Sequence, residues 1–218
     1  MRVQKLSIRG SPFVGVFLKA TDKFCLVPDG LIPKDKKTIQ NILGVEPIET
    51  RIANASIIGV LCIANQNRVC LPSMVEQKEI DALEKTGIKT SVIPTVEAIG
   101  NMVSINDHIG LCGNALREET RKTLERELNI PIERVTIAGS DLAGSASILT
   151  NKGFVCHPKT RPDEYKILEE KTGLKGNPSS ANYGDLFVGN SVTANSFGAL
   201  VGEHTTGYEM IAIDEALS

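Results

Sequence analysis

The chain has 218 residues, of which 41% are hydrophobic and 23% charged, and these values are typical of a globular protein. No signal-peptide-like stretch and no run of about 20 apolar residues is present, so we expect a cytoplasmic protein without a membrane partner. The net charge of −2 disfavours binding driven by nucleic-acid phosphates, and any ribonucleoprotein partner would be met through its protein part.

The first predicted element is a strand over residues 3–8, with the sequence VQKLSI. A glycine preceded by apolar or small residues follows it and recurs along the chain at intervals of 44, 41, 44 and 45 residues: Gly15, Gly59, Gly100, Gly144 and Gly189. An isoleucine stands seven residues before each of the first four glycines, whereas Asn182 stands there in the fifth repeat. The regular recurrence of these glycines and isoleucines indicates five repeats of about 44 residues.

After each glycine the sequence predicts a strand, a polar turn and a second strand, which together form a hairpin. The turn residues are Thr21, Asn65, Asn106, Asn151 and Asn195. Each follows its repeat glycine by six positions, except in the fourth repeat, where the distance is seven positions. This longer distance predicts one inserted residue there, such as a bulge. Asparagine tolerates left-handed backbone conformations, which favours a structural role in the turn. The alternative is that these amides are presented to a partner.

Each hairpin is followed by a predicted amphipathic helix, clearest in ALREETRKTLEREL, where Leu116, Thr120, Leu124 and Leu128 recur every four residues. Gly44, Gly87, Asn129 and Gly173 mark the helix ends, and a further strand leads to the next repeat. The fifth repeat ends at its helix, and residues 3–8 can supply the strand that it lacks. We therefore predict one α/β domain, residues 1–218, with five repeats of hairpin, helix and strand closed into a ring around a fivefold axis.

Several motifs in this order closely resemble the archaeal translation initiation factor 6 family: GVFLKATDKFCLVP, NASIIGVLCIAN, AIGNMVSIND, TNKGFVCHP and HTTGYEMIAIDEAL. The resemblance covers the whole chain and implies the pentein fold, also called an α/β propeller. It implies a factor that binds the large ribosomal subunit and prevents its association with the small subunit. The implied partners are the uL14-type ribosomal protein and the neighbourhood of the sarcin–ricin loop.

The resemblance places ribosome contacts directly after the repeat glycine, at Val60, Asn101, Ser145, Ala146 and Asn190. Asn101 matches the family's Gly-Asn pair, whereas Val60 replaces a basic residue and Ala146 an aromatic residue of the eukaryotic members. His204 stands where the family has Asp, and we have no interpretation of that change. We expect a monomer with no cofactor, no metal and no small-molecule substrate.

Two other functions are alternatives for a protein of this kind. Guanidino-modifying hydrolases such as arginine deiminases resemble this fold class and need a cysteine nucleophile near the C-terminus. The chain has no cysteine after Cys156, so we expect no enzyme activity. The other alternative is a role in large-subunit biogenesis. It needs the same binding face, so the sequence does not distinguish it from the prevention of subunit association.

The five cysteines are odd in number and lack a Cys-x-x-Cys pair, which argues against disulfides and a thiolate zinc site. We expect Cys25, Cys70, Cys112 and Cys156 to be buried on the second hairpin strands. The three histidines lie in different repeats without metal-binding spacing.

Overall fold

A computed structural model describes residues 1–218 as a mixed α/β protein with five three-stranded sheets and ten helices. Each sheet contains the two antiparallel strands of one hairpin. The first hairpin strands are β2 (Lys19–Ala20), β5 (Ile63–Asn65), β8 (Val103–Ile105), β11 (Ser147–Leu149) and β14 (Val192–Ala194). The second hairpin strands are β3 (Phe24–Pro28), β6 (Arg68–Pro72), β9 (Gly110–Cys112), β12 (Phe154–Cys156) and β15 (Gly198–Gly202).

The third strand of each sheet runs parallel to the second hairpin strand. In four sheets it follows the helix of the same repeat: β4 (Glu46–Thr50), β7 (Thr90–Ile93), β10 (Ile132–Arg134) and β13 (Gly176–Pro178). In the fifth sheet it is β1 (Arg2–Leu6), which pairs with β15 so that Arg2 lies opposite Gly198. The predicted pairing of the N-terminal segment with the last repeat is thus present.

The predicted amphipathic helices pack on these sheets and are α2 (Pro33–Leu43), α4 (Gln77–Lys85), α6 (Glu118–Leu128), α8 (Pro162–Thr172) and α10 (Gly207–Leu217). Gly44, Asn129 and Gly173 end three of them in the left-handed conformation expected of a helix terminus. The apolar core is divided into five clusters of 9 to 12 buried residues. Each repeat therefore buries its helix against its own sheet and the neighbouring repeat.

The segment around each repeat glycine differs from the prediction of a strand. Here the chain forms a four-residue helix before the first hairpin strand begins: α1 (Val14–Phe17), α3 (Ile58–Leu61), α5 (Ile99–Met102), α7 (Ala143–Ala146) and α9 (Val188–Ser191). The prediction that Asn101 starts a strand is wrong, since it lies in α5. The apolar runs used for the prediction are too short to separate a buried strand from one helical turn.

The glycines are required because the short helices approach one another closely. A Cβ atom on Gly59 would lie 1.9 Å from the carbonyl oxygen of Gly15, and one on Gly15 would lie 2.1 Å from that of Gly189. Gly100, Gly144 and Gly189 face the preceding repeat glycine in the same way. No side chain larger than hydrogen fits at these positions.

The hairpin turns correct the prediction of an inserted residue in the fourth repeat. Thr150, not Asn151, holds the turn: its hydroxyl accepts hydrogen bonds from Lys152 N and Gly153 N, both at 3.2 Å. Thr21 accepts the equivalent bonds from its own turn. Thr150 follows Gly144 by six residues, so the spacing is the same in all five repeats and no bulge is needed.

No helix of the protein has the length and apolar character of a membrane span.

Candidate functional site

The ends of the five repeats that carry the short helices form one face, called here the short-helix face. The first hairpin strand leaves this face and the second returns to it, because the two are antiparallel. The loops from the second strand to the long helix therefore lie on the same face as the loops before the short helices. Neighbouring short helices contact each other, which brings the five ends together.

The short-helix face carries most of the exposed large apolar side chains of the protein. Of twelve such residues, eight lie in its loops or at the first turns of its helices: Phe13, Ile32, Ile57, Met74, Val96, Leu142, Tyr183 and Tyr208. Tyr183 and Tyr208 are 82% and 84% exposed. Exposed apolar residues concentrated on one face, with polar groups between them, are typical of a protein-binding surface.

Charged residues on this face are largely paired with one another. Asp29 bridges Arg9 and Arg51 at 3.3 and 2.9 Å, and Glu97 pairs with Arg117 at 3.4 Å. Both signs are interspersed, so the face lacks the uniform positive field that a phosphate backbone requires. The electrostatics thus favour a protein surface over a nucleic acid as the contacting partner.

Three of the five predicted contact residues lie on the short-helix face with accessible side chains. Val60, Asn101 and Asn190 are each half-buried. Asn101 and Asn190 are held in their short helices by backbone bonds from Asn101 N to Ala98 O and from Asn190 N to Phe187 O, both 2.9 Å. Their side-chain amides form no hydrogen bond within the protein and remain available to a partner.

Ser145 and Ala146 occupy the corresponding helix α7, but their side chains are only 5% and 0% exposed. The structure brings these two residues to the same region as the other three without placing their side chains at the surface. The neighbouring Leu142, at the start of α7, is 40% exposed. A partner on this face would therefore meet Leu142 before either of them.

The turn asparagines lie at the opposite end and use their amides internally. Asn65 is 2% exposed and donates to Leu128 O at 3.1 Å, while Asn195 is 3% exposed and donates to Thr21 O at 2.9 Å. Asn106 donates to Thr150 O at 2.9 Å. These amides join neighbouring repeats, so the structural interpretation applies to them and presentation to a partner does not.

Three buried glutamates shape the short-helix face and were missed by the sequence analysis. Glu79, Glu164 and Glu209 stand third in their long helices and accept backbone N–H bonds from the helix start and from the loop before the short helix of the same repeat. Glu209 belongs to a capping box with Thr206. The spacing Thr-x-x-Glu is the sequence signal that could have revealed it.

The residues His204, Thr205 and Thr206 lie on this face. His204 is exposed. Thr205 is fully buried, and its hydroxyl accepts a bond from Asn182 N at 3.1 Å, whereas Thr206 caps α10. The two threonines thus have structural roles, and nothing in the structure explains His204.

All five cysteines are buried and free, as predicted for the four on the hairpin strands. Burial raises the pKa of Cys62 and Cys70 to about 12 and of Cys112 and Cys156 to about 11. A thiol with so high a pKa is protonated at neutral pH and is a poor nucleophile. No group of three or more His, Cys, Asp or Glu side chains is arranged to hold a metal ion.

These features define a repeat-built α/β protein with exposed apolar side chains concentrated on one face. Residues 3–216 match the model of the eIF-6 family, and the chain belongs to this family. It is 36% identical to translation initiation factor 6 of Pyrococcus abyssi over 100% of the chain and 99% of that protein. It is 33% identical to the Methanosarcina mazei protein of the same name, over 99% and 98%, and 31% identical to that of Haloquadratum walsbyi, over 98% and 95%.

The structure also overlaps with C. jejuni agmatine deiminase, at 16% identity and a TM-score of 0.40, over 56% of this chain and 50% of the deiminase. So limited a likeness carries no argument about function. Membership of the eIF-6 family places the chain among translation factors rather than enzymes, in agreement with the sequence analysis.

Proposed function

We propose that the protein is a translation initiation factor that binds the large ribosomal subunit through its short-helix face and prevents the small subunit from joining. Full-length relatives named translation initiation factor 6 support the role in translation. The concentration of exposed apolar residues on the short-helix face is the observation that supports this face as the contact surface. The factor would act in the cytoplasm.

The proposed mechanism is steric. A rigid protein on the joining surface of the large subunit excludes the small subunit, and an interface of standard size, about 1,600 Å², suffices to block a partner. We propose the uL14-type ribosomal protein, near the sarcin–ricin loop, as the contact. The exposed tyrosines Tyr183 and Tyr208 support a protein contact, because tyrosine is enriched at the centres of such interfaces.

Val60, Asn101 and Asn190 are proposed as direct contacts on this face, with Ser145 and Ala146 supporting it from beneath. The two unbonded amides give the face polar groups that fix the orientation of a partner, while the apolar side chains supply the buried area. A role in large-subunit biogenesis would use the same face.

The proposal is tested by sedimenting the protein with separated archaeal ribosomal subunits on sucrose gradients, followed by a subunit-joining assay. We expect it to migrate with the large subunit alone and to reduce the joined peak. Migration at the top of the gradient, with joining unaffected, would overturn the proposal. Binding to the large subunit without an effect on joining would leave the biogenesis role in its place.

Substitutions of two asparagines test whether the short-helix face is the contact surface. Asn101→Arg is expected to weaken large-subunit binding at least about tenfold, because it introduces a bulky charge into the proposed interface. Asn67→Arg makes the same change in an exposed hairpin turn at the opposite end and should leave binding unchanged. Circular dichroism confirms that both variants are folded. Equal affinities would remove Asn101 and its surroundings from the site.

We also propose that the five repeats form one domain, closed into a ring with pseudo-fivefold symmetry, the pentein or α/β-propeller arrangement. The pairing of β1 with β15 and the approach of Gly15 to Gly189 support it, since both join the first repeat to the last. The termini are adjacent as well, because the Met1 amino group donates to Ser218 Oγ at 2.7 Å and contacts Asp214.

A circular permutant tests this closure. Joining Ser218 to Met1 through a short glycine-serine linker, with new ends between the exposed residues Asn114 and Ala115, should give a folded protein. We expect one cooperative thermal transition within about 10 °C of the parent, followed by circular dichroism. The control is the pair of separate fragments 1–114 and 115–218, which have the same new ends but no linker. Failure of the linked permutant to fold would contradict the closure.

A further inference from the structure

A cavity of about 60 Å³ lies between the first hairpin strands and is lined by all five repeat glycines. Residues of β2, β5, β8, β11 and β14 complete its wall. One water molecule occupies roughly 10–15 Å³ of such a volume, so the cavity has room for a small polyatomic ion.

Lys19 is the one charged residue in the wall of this cavity. It stands four positions after its repeat glycine, where the other repeats have Ile63, Ser104, Ile148 and Thr193. The ammonium group forms no ion pair and no hydrogen bond within the protein, and it keeps some accessible surface. Lys19 is half-buried, and a partly desolvated charge without a counter-charge is unfavourable, so this position favours a ligand of opposite sign.

The other polar side chains of the wall differ in whether their hydrogen-bond donors are free to bind a ligand. The hydroxyl of Thr193 donates to Leu18 O at 3.3 Å and that of Ser104 to Ser147 O at 3.4 Å, so both hydrogens are already used. Asn101 is also a residue of the wall, and its side-chain amide has no hydrogen-bond partner in the protein. Lys19 and Asn101 therefore offer the free donors, and no carboxylate lies in the wall to repel an anion.

We propose that this cavity binds one small oxyanion, of the size and charge of sulfate, through the Lys19 ammonium and the Asn101 amide. A charge-assisted hydrogen bond is stronger than a neutral one. The anion would also neutralise the charge that the first repeat places between the five short helices. The inference does not depend on ribosome binding.

Burial lowers the pKa of Lys19 from its ordinary value of 10.5, and the opposing influence of Cys62 is smaller. Cys62 is the one ionisable group that acts on Lys19, and its own pKa of about 12 keeps it neutral near pH 7. An anion binds the protonated amine, so its affinity should rise as the pH falls through the Lys19 pKa, with uptake of a proton.

Isothermal titration calorimetry with sodium sulfate at constant ionic strength tests the proposal. We expect one site per chain in the parent, at least about tenfold weaker binding in Lys19→Met, and unchanged binding in Lys23→Met, an exposed lysine of the hairpin turn. Lys19→Met should fold, since Ile63 and Ile148 show that apolar residues fit this position. Equal affinities of Lys19→Met and the parent, or no binding by the parent, would overturn it.

A second measurement needs no variant. Titrations of the parent at increasing pH from 6 upward, in buffers of different ionisation enthalpy, should show the affinity falling as the pH rises through the Lys19 pKa, with proton uptake on binding at the higher pH. Sulfate keeps its charge over this range, so a change reports on the protein. Binding that is independent of pH and of the buffer would assign the anion to a site other than Lys19.

Discussion

Replacing Gly59 by alanine is expected to lower the free energy of unfolding by at least about 3 kcal/mol, the upper part of the range for overpacking. The added Cβ would lie 1.9 Å from Gly15 O and 2.6 Å from Leu18 O. Both oxygens belong to backbone that is fixed by its own short helix and sheet, so neither can move aside as a flexible side chain could. Urea denaturation followed by circular dichroism measures the effect.

Gly207→Ala is the matched control for this substitution. Gly207 opens helix α10, where a Cβ would meet nothing within 4 Å and no left-handed conformation is required. Alanine there should be neutral or slightly stabilising, by up to about 1 kcal/mol, because it restricts the unfolded chain and favours the helix. If both variants unfold at the same urea concentration, the close approach of the short helices is not a constraint on the fold.

Glu164→Gln is expected to destabilise the protein by about 2–4 kcal/mol, because buried N–H groups lose a charged acceptor. The carboxylate is 2% exposed and accepts bonds from Ala138 N and Arg161 N at 3.0 Å and from Gly139 N at 2.9 Å. It also accepts the Thr136 hydroxyl at 3.0 Å. A glutamine keeps one carbonyl oxygen and turns an NH₂ group toward donors that it cannot satisfy.

The same carboxylate should make stability depend on pH. Burial by itself raises the pKa of Glu164, but the bonds from Arg161, Gly139 and Thr136 and the Arg161 charge outweigh it and hold the pKa below its ordinary 4.5. Bonds from Thr206, Ser180 and Gly184 likewise outweigh burial and lower the pKa of Glu209. The stabilisation is therefore complete above pH 4.5 and is lost as the pH falls through the folded-state pKa.

Urea denaturation between pH 7 and 3 checks both statements. The parent should lose stability below pH 4.5, and Glu164→Gln should lose less over the same interval because one of the responsible groups is gone. Glu170→Gln, at an exposed position of the same helix, is the control and should match the parent within about 0.5 kcal/mol. A pH dependence that is identical in Glu164→Gln and the parent would contradict the assignment.

Much of the fold was predictable because its signals are local. The spacing of glycines and turn residues divides the chain into five units, and the left-handed ends at Gly44, Asn129 and Gly173 follow from helix termination. The absence of a last strand in the fifth repeat was enough to predict the pairing of β1 with β15. Among the hairpin turns only the fourth was misassigned, since threonine and asparagine adjoin there and both can hold a turn.

The candidate site was less predictable. The positions directly after the repeat glycines are equivalent in sequence, yet Asn101 and Asn190 keep accessible amides while Ser145 is buried. The apolar loops of the short-helix face lie far apart in the chain, and their concentration on one surface has no repeat signature. These properties depend on which segments become neighbours.

The sequence by itself determined the number of repeats, the order of hairpin, helix and strand within each, and the family resemblance. The tertiary structure decided the helical turn at each glycine, the burial of individual contact candidates and the position of Lys19 beside the central cavity. The physical reason is the distance along the chain over which the deciding interactions act. Turns and helix ends depend on residues within a few positions, whereas the approach of Gly59 to Gly15 joins backbones 44 residues apart, and only folding brings such segments together.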